Sequence, residues 1–220
     1  MQNFATPAPI TAVVTVPAGR IQITAADRAD TTVEIRPADP AKSRDVKLAG
    51  QLTAGYSDGT LRIAAPAGHR VLGSSGAVEV TVQLPAGSRV EARTASARFT
   101  TEGPLGAVAF DSAQGTVTVA EAATARVSVT DGDVTVGRLG GDAEIRTVKG
   151  DIKVTEAAAG TVVLRTEMGG VTIGAAAGVS AALDAGTTMG RIRNSLANAG
   201  VPALTVRATT TVGDITASSL

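Results

Sequence analysis

Two groups of side chains in this 220-residue sequence have types and spacings that could do chemistry. His69 lies close in sequence to Ser74 and Ser75, and acyl transfer requires a hydroxyl that an imidazole activates. The segment that holds the two serines, Val-Leu-Gly-Ser-Ser-Gly, lacks the Gly-x-Ser-x-Gly pattern of a nucleophile elbow. We therefore predict no catalytic residues here and assign the histidine to an ordinary loop.

The second group is a set of aspartates that each follow a glycine. Asp133, Asp151 and Asp214 would stack if their segments stacked, and stacked carboxylates suit a hard cation such as calcium. The calcium-solenoid pattern Gly-Gly-x-Gly-x-Asp is absent, and Gly170 and Arg191 interrupt the column. We favour a structural role in which each aspartate accepts backbone N–H groups in an Asx-type turn, and we predict no metal site.

The composition excludes several other functions. Twenty Lys and Arg balance twenty Asp and Glu, and aromatic residues make up 2% of the chain. A nucleic-acid partner is not expected, because neither excess positive charge nor rings for base stacking are available. The sequence has no Cys and one His, which excludes disulfides and multi-histidine metal clusters. Since no P-loop or dinucleotide motif occurs, we predict no cofactor and no small-molecule substrate.

A repeat positions the aspartates and gives the strongest signal in the sequence. From about residue 107 onward, a glycine followed by an alternating apolar and polar segment recurs at intervals of 17 to 23 residues. These anchor glycines are Gly115, Gly132, Gly150, Gly169, Gly190 and Gly213. A second alternating segment precedes each anchor. Two strands per unit with no helix between them indicate the coils of a β-solenoid, in which equivalent strands stack about 4.8 Å apart.

The positions of the apolar residues predict the interior of this solenoid. Val127, Ile145 and Leu164 each lie five residues before their anchor, whereas Leu183 and Val206 lie seven before theirs. The difference predicts a two-residue insertion in the last two coils. A narrow core between two sheets also explains why 44% of the chain is hydrophobic while almost none is aromatic.

The remainder of the chain is expected to be β-structure as well. Residues 1–88 contain short alternating segments joined by Pro- and Gly-containing turns, which indicate an antiparallel meander with an irregular loop over 38–45. We predict an all-β fold with little or no helix, in which this section and a β-solenoid over 89–220 form one continuous domain. The final strand, ending at 217–220, would leave an edge that can pair with another copy.

One outward row carries the candidate binding residues. Ser128, Arg146, Arg165, Asp184 and Arg207 follow the inward positions in successive coils. Arg146 and Arg165 would lie side by side, which is unfavourable unless water, Asp184 or an anionic partner compensates their like charges. This row is either a solvated face or a surface that meets an acidic patch on a partner protein.

The same motifs resemble a bacterial family of unknown function that is labelled putative adhesin and is related to the toastrack domains. The resemblance rests on Gly-Arg-Ile-Gln-Ile from Gly19, on Val-Thr-Val-Gln-Leu-Pro-Ala-Gly from Val80, and on the repeated Gly-Asp-[Val/Ile]-x-Val at Gly132 and Gly150, which returns at Gly213 with Ala217 in the final place. It implies a thin β-solenoid and carries no catalytic residues to transfer. Relatives of this kind are often extracytoplasmic and linked to adhesion or envelope stress.

These observations give three functional hypotheses. The first is a non-enzymatic scaffold or protein-interaction module that self-associates in the bacterial cytoplasm, since the sequence shows no signal peptide and no apolar run long enough to insert into a membrane. The second is an adhesion or envelope-stress-sensing domain at the cell surface. The third, a β-helix hydrolase, is disfavoured because no coil concentrates the carboxylates such a site needs.

Overall fold

The fold is a stack of β-coils in a computed structural model that describes residues 1–65 and 76–220. The amino-terminal elements are β1 (Gln2–Ala5), β2 (Thr11–Thr15), β3 (Ala18–Ala26), β4 (Asp30–Pro37), α1 (Ser43–Gln51), β5 (Thr53–Ser57), β6 (Thr60–Ala64) and β7 (Val78–Pro85). The following strands are β8 (Arg89–Gln114), β9 (Val117–Asp131), β10 (Val134–Leu139), β11 (Ala143–Lys149), β12 (Ile152–Ala157), β13 (Gly160–Arg165), β14 (Val171–Ala175), β15 (Ala181–Met189), β16 (Ile192–Ser195), β17 (Leu204–Val212) and β18 (Ile215–Ser219). The predicted all-β solenoid is confirmed.

The strands form two facing columns in which neighbouring coils pair in parallel. One column contains the end of β9 followed by β11 and β13, and the other contains the start of β9 followed by β10, β12 and β14. Alternate side chains point between the columns, as in β10, where Val134 and Val136 are fully buried. The apolar period of two in the sequence therefore becomes one long, thin core.

The spatial order of the last coils differs from their order in the chain. The coil made of β17 and β18 lies between the β13–β14 coil and the β15–β16 coil. The expectation that residues 217–220 form the exposed edge is therefore wrong, since β18 has a neighbour on each side. The edge at this end is the β15–β16 coil. All these strands carry similar alternating residues, so the alternation does not specify which coil is the neighbour.

The predicted two-residue insertion is also absent. Leu164 pairs with Ala208, which lies five residues before Gly213, and Val206 pairs with Val162 instead. The last strands continue the common register, in which the inward residues five before the anchors are Ala208 and Ala185. The alignment predicted from the sequence used the larger Val206 and Leu183, which lie two residues earlier. Ala208 is fully buried in the position that leucine occupies in the neighbouring coil.

The amino-terminal section continues the stack. Antiparallel pairing, as predicted for residues 1–88, joins β1 to β4, β4 to β7 and β5 to β6. In contrast, β2 pairs in parallel with β6 and β8, and β3 in parallel with β7 and β8. The prediction of a simple antiparallel meander is therefore wrong for these strands. Alternating residues and turn residues are the same in parallel and antiparallel pairing, so they could not distinguish the two.

A helix occupies part of the segment that was expected to be a loop. The nine-residue α1 packs against β4 and β7, and Leu48 and, just beyond its end, Leu52 are buried. Asp45 is buried in its first turn, where its carboxylate accepts hydrogen bonds from the backbone N–H groups of Asp39 (3.2 Å) and Ala77 (2.9 Å). Long-range contacts, which a nine-residue pattern cannot reveal, stabilise this helix.

Two of the four aromatic rings lie inside the solenoid. Phe99 and Phe110 are almost fully buried and stack with their centroids 4.7 Å apart. The other two, Phe4 and Tyr56, lie 6.0 Å apart at the amino-terminal end. The interior thus accepts two aromatic rings where they stack on each other.

Candidate functional site

The aspartates of the repeat join neighbouring coils. The Oδ1 atom of Asp133 accepts the backbone N–H of Asp151 (2.8 Å), and the Oδ1 atom of Asp151 accepts that of Gly170 (2.7 Å). Asp214 continues the series by accepting the N–H of Arg191 (2.9 Å). The carboxylates act on backbone N–H groups as expected, but in the next coil rather than in their own turn. In the described part of the chain, no three His, Cys, Asp or Glu residues come together to hold a metal ion.

The anchor glycines are required by close backbone contact between coils. Gly150 has a φ of +140°, and a Cβ atom placed on it would lie 2.3 Å from the carbonyl oxygen of Gly132. The same close approach links Gly169 to Gly150 (2.0 Å), Gly213 to Gly169 (2.0 Å) and Gly190 to Gly213 (1.9 Å). This succession of contacts runs in the spatial order of the coils, with the Gly213 coil in the interior and the Gly190 coil at the edge.

A threonine at each of these corners forms a further hydrogen bond between coils. These threonines were not identified from the sequence. Each lies three residues before its anchor, and its hydroxyl donates to the carbonyl oxygen of the adjacent coil's anchor glycine. The pairs are Thr147 with Gly132 (3.2 Å), Thr166 with Gly150 (3.0 Å), Thr210 with Gly169 (2.9 Å) and Thr187 with Gly213 (3.0 Å). The recurring Thr-x-x-Gly spacing is the signal that could have found them.

The outward side chains of the column that contains β11, β13, β17 and β15 form two adjacent charged rows. The first charged row runs across the coils through Arg126, Glu144, Val163, Arg207 and Asp184. The second charged row runs through Asp111, Ser128, Arg146, Arg165 and Thr209. Because the rows are two residues apart along each strand, both lie on the same face of the solenoid.

The structure divides the predicted binding residues between these two rows. Arg146 lies directly opposite Arg165 in the second charged row. Arg207 and Asp184 lie opposite each other in the first charged row, where Arg207 pairs with Val163 rather than with Arg165. The single row drawn from the sequence is corrected in this respect, since its alignment assumed the insertion that is absent.

Glu144 connects the rows electrostatically. Its carboxylate pairs with Arg126 of the neighbouring coil (2.8 Å) and with Arg146, two residues along its own strand. Arg165 has no ion pair within the described residues, and the residue directly opposite it on β11 is the like-charged Arg146. Sequence reasoning had not identified Arg126 or Glu144 as part of this face, because they lie in the neighbouring row.

An open groove lies at one end of the charged face. It has a volume of about 560 Å³, and its charged lining consists of Glu91, Arg93, Asp111, Arg126, Glu144 and Arg146. Three arginines and three acids leave the lining without a net charge. Arg165, which is not part of the lining, extends the basic side of the face beyond the groove. Such a surface can form several charge-assisted hydrogen bonds with a polar partner.

His69, Ser74 and Ser75, the candidates for acyl transfer, lie outside the described residues. Within the described residues, the helix α1 is nine residues long, whereas a bilayer span requires about 20 apolar residues. No helix in this part of the chain is therefore long and apolar enough to cross a membrane.

These features define a class of protein: a thin β-solenoid with glycine corners that stack backbone on backbone. The family model described as Toastrack DUF4097 matches residues 13–219. The chain belongs to this family, which confirms the resemblance seen in its Gly-Asp motifs.

Several solved structures are similar to the chain. A putative cell adhesion protein from Clostridium sporogenes is 12% identical over 100% of this chain and 98% of its own, with a TM-score of 0.43. A putative adhesin from Bacteroides fragilis and another from Parabacteroides distasonis are each 12% identical over 98% of this chain and 95% of their own, with TM-scores of 0.47 and 0.46. No match was found among curated proteins.

Proposed function

We propose that this chain is a non-enzymatic scaffold that works as a protein-interaction module, binding an acidic surface of a partner protein and associating with further copies of itself. The observation that carries the proposal is the juxtaposition of Arg146 and Arg165 on adjacent strands of an exposed face. Planar guanidinium groups at fixed spacing match carboxylates on another protein, because each can form paired hydrogen bonds.

The local charges favour an acidic partner. Like charges directly opposite each other on neighbouring strands are destabilising. Glu144 compensates Arg146, whereas Arg165 has no such acid among the described residues. A carboxylate supplied by a partner would relieve the repulsion and gain a charge-assisted hydrogen bond. The stack beneath the rows fixes the backbone positions of both arginines, so binding has to order only their side chains and not the strands that carry them.

The test compares two charge reversals of equal size. Affinity purification followed by mass measurement is carried out with the wild-type chain, with Arg165→Asp and with Lys153→Asp. Lys153 is a matched control, because it is also exposed on a strand but lies in the other column. We expect the reversal at Arg165 to remove partners that also dissociate at high salt, and the control to keep them.

Two results would count against this proposal. If Arg165→Asp left both the recovered partners and the oligomeric state unchanged, the charged face would have no role in binding. If a purified chain hydrolysed a defined substrate, the non-enzymatic part would be wrong.

The proposed location is the cytosol, as expected from the sequence. Cell fractionation tests it directly, with an antibody against the natural protein. Recovery from the cytosol alone would argue against adhesion or envelope-stress sensing, whereas recovery from the envelope would overturn the proposed location and favour those functions.

A further inference from the structure

The β15–β16 coil forms an open end of the solenoid. In the part of the chain that the structure describes, β15 pairs only with β17, and β16 only with β18. Apart from the N–H of Ala181, which donates to the carbonyl oxygen of Ala197 (2.9 Å), one side of each strand presents backbone N–H and C=O groups that no neighbouring strand bonds. Unpaired strand edges of this kind are templates for pairing with another chain.

The open end also exposes residues that belong to the core elsewhere. Ile192 is 45% exposed, whereas Ile215, Val171 and Ile152, which occupy the same row in successive inner coils, are at most 1% exposed. Leu183 on β15 is likewise only partly buried. The apolar interior thus reaches solvent at this end.

We infer that the β15–β16 coil pairs with the same coil of a second copy, forming a closed dimer with two-fold symmetry. This inference rests on the self-association in the proposed function and specifies its surface and geometry. In the dimer, β15 of each copy runs antiparallel to β16 of the other, so two seams of backbone hydrogen bonds form at once. The two apolar interiors then join into one core.

A second copy fits this end better than a strand from another protein. Both open edges must be paired together, and they are separated by the distance between the two columns, about 10 Å for packed sheets. A second copy presents two strand edges at that same separation. A strand edge from an unrelated partner would cover one column and leave the apolar interior exposed.

The opposite end of the solenoid has a different covering. There β1 and β5 are the outer strands, in antiparallel pairs with β4 and β6, and α1 packs against β4 and β7. Leu61 and Ile63 in β6 are fully buried beneath this covering. Head-to-tail stacking would therefore place the exposed apolar interior of one copy against the covered end of another. Pairing of like ends joins two exposed interiors and closes at two copies rather than growing into a filament.

Charge determines which strands meet. The outward charged residue of β15 is Asp184, and that of β16 is Arg193. Pairing β15 with β16 of the second copy places an acid and a base on the same face of each seam, whereas pairing like strands would bring acid towards acid and base towards base. Opposite charges across a strand pair are favourable and like charges are not.

The size of the end suits a weak, reversible dimer. Nine residues of β15 extend about 30 Å, whereas the four residues of β16 extend about 13 Å and limit the length of each paired seam. With roughly 20 Å across the two columns and their side chains, the end covers between about 260 and 600 Å² per copy. A total of about 500 to 1,200 Å² is typical of weak, transient interfaces. We expect a dimer whose population rises with concentration.

The first experiment introduces a charge into the seam. Sedimentation velocity is measured over a range of concentrations for the wild-type chain, for Ile192→Lys and for Val148→Lys. Val148 is a matched control, since it is 42% exposed but lies on β11 in an interior coil. A lysine at position 192 can reach water in the monomer but would be buried in the dimer. We expect the dissociation constant to rise about tenfold or more for this variant and to stay unchanged for the control.

The outcomes separate this inference from the proposed function. A wild-type chain that stays at the monomer mass of 21.8 kDa overturns both the dimer and the proposed self-association. An oligomer that persists in Ile192→Lys overturns the dimer surface and leaves self-association standing. Open-ended growth of the wild-type chain overturns the two-fold closure. Circular dichroism of each variant shows that the fold is intact.

The second experiment tests which strands meet. Because the chain has no cysteine, Gly186→Cys on β15 and Ser195→Cys on β16 each introduce a single thiol at an exposed position. We expect a short bismaleimide to cross-link a mixture of the two variants more than either variant alone. Efficient cross-linking of each variant with itself, and none between them, would overturn the assigned strand pairing.

Discussion

Replacing Gly150 by alanine should strongly destabilise the solenoid. The residue lies at the corner between β11 and β12 with a φ of +140°, where L-residues are strained. Its new Cβ atom would lie 2.3 Å from the carbonyl oxygen of Gly132 and 2.6 Å from the carbonyl carbon. Both are backbone atoms, so no side chain can rotate away. The coil also has neighbours on both sides, so it cannot move without disturbing the stack.

The expected loss follows from these two effects. Overpacking in a well-packed interior costs about 1 to 3 kcal/mol, and a left-handed backbone conformation adds about 1 to 2 kcal/mol for a residue with a Cβ atom. The free energy of unfolding should therefore fall by about 2 to 5 kcal/mol. In a domain of this size, that corresponds to a Tm decrease of about 4 to 20 °C.

Thermal unfolding followed by circular dichroism measures the effect. Gly55→Ala is the control, because nothing lies within 4 Å of its added Cβ atom. Gly190→Ala should lower the Tm by an amount between those of the other two variants. Its Cβ atom would lie 1.9 Å from the carbonyl oxygen of Gly213, but its coil is free to move on the open side. If Gly150→Ala unfolded within about 2 °C of the control, close backbone contact would not be what requires glycine at the corners.

Three further changes test other parts of the structure. Thr166→Val should lower the free energy of unfolding by about 1 kcal/mol through loss of its hydrogen bond to the adjacent coil, while the exposed Thr172→Val should have no such effect; equal Tm values would contradict this. Asp45→Ala should lower it by about 2 kcal/mol or more in urea unfolding, because two backbone N–H groups lose their acceptor; an unchanged midpoint would show that water replaces the carboxylate. The hydrogen bond from Arg28 holds the pKa of Asp30 below its ordinary value, so its stabilising contribution is present at neutral pH and is lost as the pH falls through that lowered pKa. The Tm difference between the wild-type chain and Asp30→Asn should accordingly shrink below about pH 4, and a difference that is constant with pH would refute the assignment.

The glycine corners show how far local sequence can predict this fold. The spacing of the anchor glycines predicted the coils, and the Gly-Asp pairs predicted a structural role for the carboxylates. The partner of that carboxylate, the N–H of the next coil, could not be read from the repeat, because an Asx turn and a contact between coils use the same residue types. The Thr-x-x-Gly spacing is visible in the sequence, but the role of the threonines is not. They donate to carbonyl groups of the adjacent coil, and only the structure shows which groups these are.

The charged face was predictable in composition but not in alignment. Arg146 and Arg165 occupy neighbouring positions because their coils are consecutive in both sequence and space. Arg207 shifts to the other row, since its strand keeps the common register through a small inward alanine. Apolar size was a poor guide to the inward position in a core where alanine, valine and leucine occupy equivalent sites.

The sequence by itself determined the class of fold: period-two alternation, glycine at a spacing of about twenty residues and a scarcity of aromatic rings require a thin stack of β-coils. Only the tertiary structure decided the order of the coils, the helix α1 and the position of the open end. The physical reason is that coils with similar apolar faces can pair in more than one order. Their order depends on the sum of long-range contacts, which places β17 and β18 inside the stack and leaves β15 and β16 at its edge.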